Sequence, residues 1–285
     1  MIEFTPMEFL GSNILSIDQF DRKDIDLIFK TADSLVPFAS RQKITKVLQG
    51  AILSNMFFEP STRTRISFGS AFNMLGGEVR ETTEIEATSL AKGESLYDTS
   101  RVLSGYSDVI VMRHPLAGSV AEFAEASRVP VINGGDGDNE HPSQALLDLF
   151  TIKKELESHN KKLDTVRIAL IGDLKFGRAA HSLCKILMLY TNISIKLVSP
   201  DKLRLPDFLI NEFKKNNISI LETQDIKEGI ADVDIIYMTR IQEERFKNVS
   251  EANKYKGLMS LNQEIYTKNC EPNTIIMHPL PRDSR

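Results

Sequence analysis

Ala51-Ile52-Leu53-Ser54-Asn55-Met56-Phe57-Phe58 is an apolar run broken by only two polar residues, and Glu59-Pro60-Ser61-Thr62-Arg63-Thr64-Arg65 follows it at once. The run has the length and composition of a buried strand. Beyond the polar turn, residues 66–75 carry helical spacing, and Gly76-Gly77 supplies a C-cap. Strand, turn and helix in this order open an α/β fold with a parallel sheet.

The alternation continues on both sides. Residues 109–112 and 129–132 read as further buried strands, with helices at 24–35, 94–103 and 119–127. A long helix at 141–156 and the polar turn His159-Asn160-Lys161-Lys162 come next. Strands then recur at 166–171, 193–198, 218–221, 235–238 and 275–277, with helices between. At 285 residues the chain is long for one core and comfortable for two. The predicted fold is α/β: two doubly wound domains, residues 1–140 and 141–285, each with a central parallel sheet flanked by helices.

Composition narrows the partners. Hydrophobic residues at 41% and charged ones at 26% give the balance of an ordinary soluble protein. No apolar run approaches the ~20 residues that span a bilayer, and Met1-Ile2-Glu3-Phe4 has neither the basic start nor the apolar stretch of a signal peptide. No membrane association and a cytoplasmic location are expected. Cys184 and Cys270 form no metal-ligand spacing and read as buried thiols, so no metal is expected. A formal net charge of −4 argues against nucleic acid. Any strongly cationic site must then be local, built from a few arginines.

In open α/β sheets, ligands sit beyond the carboxyl ends of the strands. The polar constellations fall there: 59–65 after the first strand, Arg113-His114-Pro115 after the second, and Gly172-Asp173 and Thr239-Arg240 after later ones. They are expected to face one shared cleft. At Ser61–Arg65, free N–H groups and the helix dipole favour an anion, and hydroxyls and arginine add donors. Plain N-capping by Ser61 or Thr62, with the arginines facing water, is the alternative. Pro142 suits the first helical position, and His141 and Gln144, three apart, share a face of that first turn. One could donate to a carbonyl oxygen while the other accepts from an amide NH2, or the pair could simply cap the helix. Ser89-Leu90-Ala91-Lys92-Gly93-Glu94 reads, by its residues alone, as a polar surface loop. Ile171-Gly172-Asp173-Leu174-Lys175-Phe176-Gly177-Arg178 invites a dinucleotide reading but lacks G-x-G-x-x-G. No cofactor is expected.

Phe57-Phe58-Glu59-Pro60-Ser61-Thr62-Arg63-Thr64-Arg65 resembles the signature of the aspartate and ornithine carbamoyltransferase superfamily, and the similarity runs along essentially the whole chain. The resemblance implies that Ser61, Thr62, Arg63 and Thr64 bind the phosphate of carbamoyl phosphate. It implies that Arg113 contacts both the phosphate and the carbamoyl oxygen, that His141 polarises the carbonyl, and that Gln144 orients its nitrogen. In His278-Pro279-Leu280-Pro281-Arg282 it implies that backbone carbonyls around Leu280 and Pro281 accept from the carbamoyl amide; the Leu280–Pro281 bond is a candidate for cis. The Gly-Asp-x-x-x-Gly-Arg pattern is that of the aspartate-specific branch. By that match Arg178 holds the aspartate α-carboxylate, Arg240 the β-carboxylate, and Gln242 assists. Ser89 and Lys92 match a mobile loop that reaches into a neighbouring subunit's site, and Glu59 and Arg245 match residues that link the domains. The implied assembly is a homotrimer with shared active sites, with room for a regulatory chain, and the implied role is an early step of de novo pyrimidine biosynthesis. Family members also continue beyond the position of Arg285 with more loop and a terminal helix.

Nothing in the sequence offers an activated serine or cysteine with a partnered base. Direct attack of the aspartate amine on the carbamoyl carbon is therefore expected, with His141, Arg113 and Thr64 stabilising the oxyanion and Arg63 the leaving phosphate. An ornithine-specific member is the nearest rival, but its His-Cys-Leu-Pro and Ser-Met-Gly features are absent. An inactive scaffold homologue is a further alternative, against which every expected site position is filled.

Overall fold

The computed structural model describes residues 9–83, 88–246, 254–255 and 257–282, apart from the Glu244 side chain. The chain divides into two compact units, Met1–Ser143 and Gln144–Arg285.

In the first unit, strands β1 (Ile52–Phe57), β2 (Glu78–Thr82), β3 (Val109–His114) and β4 (Val131–Asp136) form one sheet in the order β2-β1-β3-β4. Every pairing is parallel, so each connection crosses over a face of the sheet through a helix. Those helices are α2 (Thr62–Met74), α3 (Leu96–Leu103) and α4 (Ser119–Ala126); α1 (Arg22–Ala39) precedes them. Side chains alternate between the two faces. Leu53 and Phe57 pack with Phe68 and Phe72 of α2, while Met56 and Phe58 pack with Val120 and Phe123 of α4. Both faces of the central strands are thereby buried, which is why they read as continuous apolar runs.

The second unit repeats the plan with five parallel strands: β5 (Arg167–Ile171), β6 (Ser194–Val198), β7 (Ser219–Thr223), β8 (Ile235–Met238) and β9 (Ile275–Met277). Their order is β7-β6-β5-β8-β9. Helix α5 (Pro142–Ser158) leads in, and α6 (Arg178–Leu187), α7 (Asp207–Lys215), α8 (Ile226–Ile230) and α9 (Gln263–Asn269) follow. Ile168, Ala169, Leu170 and Ile171 of β5 and Ile235, Ile236 and Tyr237 of β8 are fully buried.

In both sheets the winding direction reverses once, between β1 and β3 and between β5 and β8. At such a reversal the two connecting helices run to opposite faces and leave a crevice beyond the strand ends. The motifs at 59–65 and 113 lie at the first reversal, and those at 172–178 and 239–242 at the second.

Three elements differ from the sequence reading. β2, absent from it, is the outermost strand of its sheet and is polar along its length; Val79 is its one apolar residue. β4 runs on through Gly134-Gly135 to Asp136, beyond 132, because main-chain pairing with β3 needs no side chain there. α1 continues past 35 through Pro37 to Ala39, although the proline lacks the N–H that would bond one turn back.

Candidate active site

In the first unit, Phe57 pairs with Arg113 across the ends of β1 and β3, and the Phe58 N–H donates to the Arg113 carbonyl at 2.9 Å. Ser61 takes the N-cap position of α2 in an extended conformation, yet its side chain makes no capping hydrogen bond, and the first turn holds no acidic residue. Ser61 therefore does not cap the helix with its side chain, and the N–H groups of a first turn point outward from the helix start. Thr62 and Arg63 are exposed and Ser61 and Thr64 half-buried. Among the described residues Arg63 has no hydrogen bond or ion pair. Arg65, which strengthened the expectation of an anion site, is instead paired with Glu81 of β2, and its carbonyl accepts from buried Asn55 Nδ2 at 3.0 Å. Arg65 therefore anchors the helix to the sheet.

Arg113 is fixed from two sides. Its Nε donates to Glu59 Oε2 at 3.1 Å and an Nη to the Gly134 carbonyl at 3.4 Å. That holds the guanidinium beside the α2 turn. His141 follows β4 on a loop braced by buried carboxylates. Asp136 accepts from the Gly118 N–H and Asn133 Nδ2, at 2.8 and 2.9 Å. Glu140 accepts from Ser16 Oγ and the Ile17 N–H, at 2.7 and 2.9 Å. His141 is only 5% exposed, and Ser143 Oγ lies 3.2 Å from its Nδ1. A serine donating there leaves the hydrogen on Nε2, the tautomer able to donate to a carbonyl oxygen. Pro142 is the first residue of α5, where its missing N–H costs nothing.

Ser89 and Lys92 form the ends of one 3₁₀ turn, closed by the Thr88 hydroxyl at its start and by Gly93, with φ of 91°, at its end. Leu90 packs into the first unit's core, while Ser89, Ala91 and Lys92 are exposed. The turn is thus pinned at one apolar residue and presents its polar ones outward. Among the described residues no hydrogen bond joins Ser89 or Lys92 to the other candidate groups.

In the second unit, Gly172 follows β5 with φ of 116°. A Cβ there would lie 2.3 Å from the Thr239 carbonyl, so only glycine permits this approach of the β5 and β8 ends. Asp173, fully buried, accepts from the backbone N–H groups of Phe176 at 3.0 Å and Gln242 at 3.1 Å. Burial pushes its carboxyl above the usual range, and these N–H groups work against that rise. Gln242 Nε2 donates to the Phe176 carbonyl at 2.7 Å. The turn before α6 and the segment after β8 are therefore tied together at two points. Arg178 begins α6 and Arg240 lies in the tied segment, and both are half-buried. An Arg240 Nη donates to the Ile241 carbonyl at 3.2 Å.

Beside Arg240 a hollow of about 500 Å³ is lined by Arg240, Tyr266, His278 and Arg282 among others. Leu280 and Pro281 follow β9, exposed, with a cis bond between them and Leu280 at φ of 60°; the Leu280 N–H donates to His278 Nδ1 at 2.8 Å. A larger hollow of about 670 Å³ in the first unit, against Ile52, Arg80, Tyr106 and Asp108, contains none of the candidate residues.

Gln144 donates its Nε2 to Asp148 Oδ1 at 2.9 Å, and Tyr237 Oη donates to Asp148 Oδ2 at 2.6 Å. The sequence reading missed Asp148, Tyr237 and the tying role of Asp173. Only the first left a signal, since a glutamine and an aspartate four apart meet on a helix face.

Two family models match. One, described as the aspartate/ornithine carbamoyltransferase carbamoyl-P binding domain, covers residues 12–154. The other, described as the Asp/Orn binding domain, covers 164–284. The chain is 64% identical over 279 residues to the aspartate carbamoyltransferase catalytic subunit of Cellvibrio japonicus, covering 98% of this chain and 82% of that one. Among solved structures it resembles the catalytic subunit of M. jannaschii aspartate transcarbamoylase, at a TM-score of 0.85 and 43% identity over 95% of this chain and 87% of that one. It also resembles the Trypanosoma cruzi aspartate transcarbamoylase in complex with carbamoyl phosphate and aspartate, at a TM-score of 0.88 and 38% identity over 99% and 89%.

Proposed function

The chain belongs to the aspartate/ornithine carbamoyltransferase family, and from that premise we propose that it transfers the carbamoyl group of carbamoyl phosphate to the α-amine of L-aspartate. The products are N-carbamoyl-L-aspartate and phosphate. The observation that carries the aspartate reading is the pair of arginines, Arg178 and Arg240, on two segments tied by Asp173 and Gln242. Two guanidinium groups suit the two carboxylates of aspartate and would repel the side-chain ammonium of ornithine.

In this reading the α2 turn, with Ser61, Thr62, Arg63 and Thr64, holds the phosphate, and Arg113 bridges phosphate and carbamoyl oxygen. His141 donates to that oxygen through Nε2, and the Gln144 oxygen and the carbonyls at Leu280 and Pro281 accept from the carbamoyl NH2. The aspartate nitrogen forms a bond to the carbamoyl carbon, and charge builds on the carbonyl oxygen, where donors are worth about 10²–10³ each in rate. The carbon–oxygen bond to phosphate then breaks, and the departing phosphate accepts the proton lost by the nitrogen. Arg178 and Arg240 hold the α- and β-carboxylates, with Gln242 in support. Alignment of two anions supplies most of the acceleration. The setting is the cytoplasm, at an early step of pyrimidine synthesis.

The working unit is a homotrimer in which Ser89 and Lys92 of one subunit complete a neighbour's site, an assembly that leaves room for a regulatory chain. Support comes from the loop itself, pinned by Leu90 while its polar residues face outward. A cyclic arrangement gives each site one donated loop.

Product assay tests the reaction: carbamoyl-aspartate should form from aspartate, and citrulline formed from ornithine instead would overturn the reading. Subunit mixing tests the sharing. Lys92→Ala and His141→Ala homotrimers should each be nearly inactive, and activity should return when the two are dissociated and reassociated together. Mixed trimers that form by native mass spectrometry yet stay inactive would refute it.

A further inference from the structure

Gln144 and Asp148 stand one helical turn apart on α5, and Asp148 meets Tyr237 of β8. Asp148 is 5% exposed and Tyr237 fully buried. A carboxylate only accepts hydrogen bonds, so each of its oxygens here requires a donor. Tyr237 satisfies one. The other leaves the Gln144 carboxamide no choice: its NH2 must turn to Asp148, and its oxygen becomes the group available to a ligand. A glutamine without such a neighbour can present either end, because its terminal torsion is broad and roughly two-fold.

We infer that Asp148, clamped by Tyr237, is a positioning residue that locks the Gln144 carboxamide oxygen-outward and thereby makes the site prefer a group bearing an NH2 donor over an isosteric methyl group. The inference rests on the proposed role of Gln144 as reader of the carbamoyl nitrogen. Burial pushes the Asp148 carboxyl up to about 6, with the bonds from Tyr237 and Gln144 opposing the rise. Tyr237 on β8 is the titratable group facing it, with Cys184 of α6 behind Tyr237. Burial raises both of these as well and keeps them neutral at neutral pH. Asp148 is therefore charged at neutral pH. Below about 6 it gains a proton, becomes a donor itself, and permits the carboxamide to reverse.

The test compares carbamoyl phosphate with acetyl phosphate, which carries a methyl in place of the NH2. Asp148→Asn keeps the shape; with Tyr237 donating to the new amide oxygen, the new NH2 faces Gln144 and forces its carboxamide around. Carbamoyl phosphate affinity should fall about tenfold or more, and acetyl phosphate affinity should stay within about twofold. Adding Asp148→Asn to Gln144→Ala should cause no further loss of carbamoyl phosphate binding. Equal losses for the two ligands, or additive losses in the double variant, would overturn the inference and leave Asp148 as helix support. Should Asp148→Asn not fold, Tyr237→Phe removes one donor to the carboxylate. The acidic fall in carbamoyl phosphate affinity should then move to higher pH; an unmoved fall with an unchanged ligand ratio counts against the proposal. A wild-type protein that forms carbamoyl-aspartate without preferring carbamoyl over acetyl phosphate would sink this inference alone. One that forms none would sink the functional reading beneath it.

Discussion

The two ends of the second sheet use buried carboxylates in opposite ways. Where the strands begin, Asp234 meets Lys161 Nζ at 2.6 Å and Arg167 Nη2 at 3.0 Å. Burial works to raise its pKa, but hydrogen bonds from Arg167 and Lys161 outweigh it and hold the carboxyl down at about 2. Where the strands finish, Asp173 meets backbone N–H groups, and burial wins. At the starting end, cations are consumed by a carboxylate of the protein and the return is stability. At the finishing end, a carboxylate organises backbone, and Arg178 and Arg240, to which we assign the substrate carboxylates, stand on the segments it ties. The difference separates a carboxylate that neutralises side-chain cations from one that arranges main chain.

The sharpest break would come at the finishing end of the first sheet. Arg63 is exposed and without a partner among the described residues, so Arg63→Ala should leave the melting temperature nearly unchanged. Turnover should nonetheless fall by about 10²-fold or more, from loss of a charge-assisted pair of a few kcal/mol. Steady-state kinetics with both substrates saturating decides it, and near-normal kcat would remove Arg63 from the site.

Arg240→Ala probes the corresponding end of the second sheet. The KM for aspartate should rise about tenfold or more, while direct binding of carbamoyl phosphate should change little. Equal loss of both would assign Arg240 to the fold and erase the contrast between the ends.

The smallest effect belongs to the starting end. Asp234→Asn should lower unfolding free energy by about 1 kcal/mol near neutral pH, a modest figure because Lys161 and Arg167 are 39% and 43% exposed to screening water. A carboxylate with a depressed folded pKa stabilises above its unfolded pKa of about 3.8, and that contribution fades as pH falls toward 2. Denaturant titrations of wild type and variant should therefore converge in acid, with aspartate kinetics indistinguishable at neutral pH.

How legible each part was in the sequence follows the same physics. Central strands such as β1, β5 and β8 are buried on both faces and announce themselves as apolar runs. The turn at Ser61–Arg65 was readable because a parallel strand leads straight into a helix, so one stretch of chain holds strand, polar turn and helix. The ties around Asp173 were not, since their partners at Phe176 and Gln242 meet only once β5 and β8 pair. Nor was Asp148–Tyr237, which joins residues 89 positions apart. The pairing of Arg65 with Glu81 was equally hidden, because Glu81 lies on a strand the sequence did not reveal.

That hidden strand, β2, also bears on how the protein behaves in a crowd. An outermost strand exposes a row of unpaired main-chain donors and acceptors, a template on which a stray chain can add itself and start an aggregate. Glu78, Arg80 and Glu81 set charge along this border of the sheet, and an incoming strand would have to strip water from them before it could pair. The polarity that disguised β2 as loop is thus a defence: the border of the sheet is built to be a poor partner for any strand but β1.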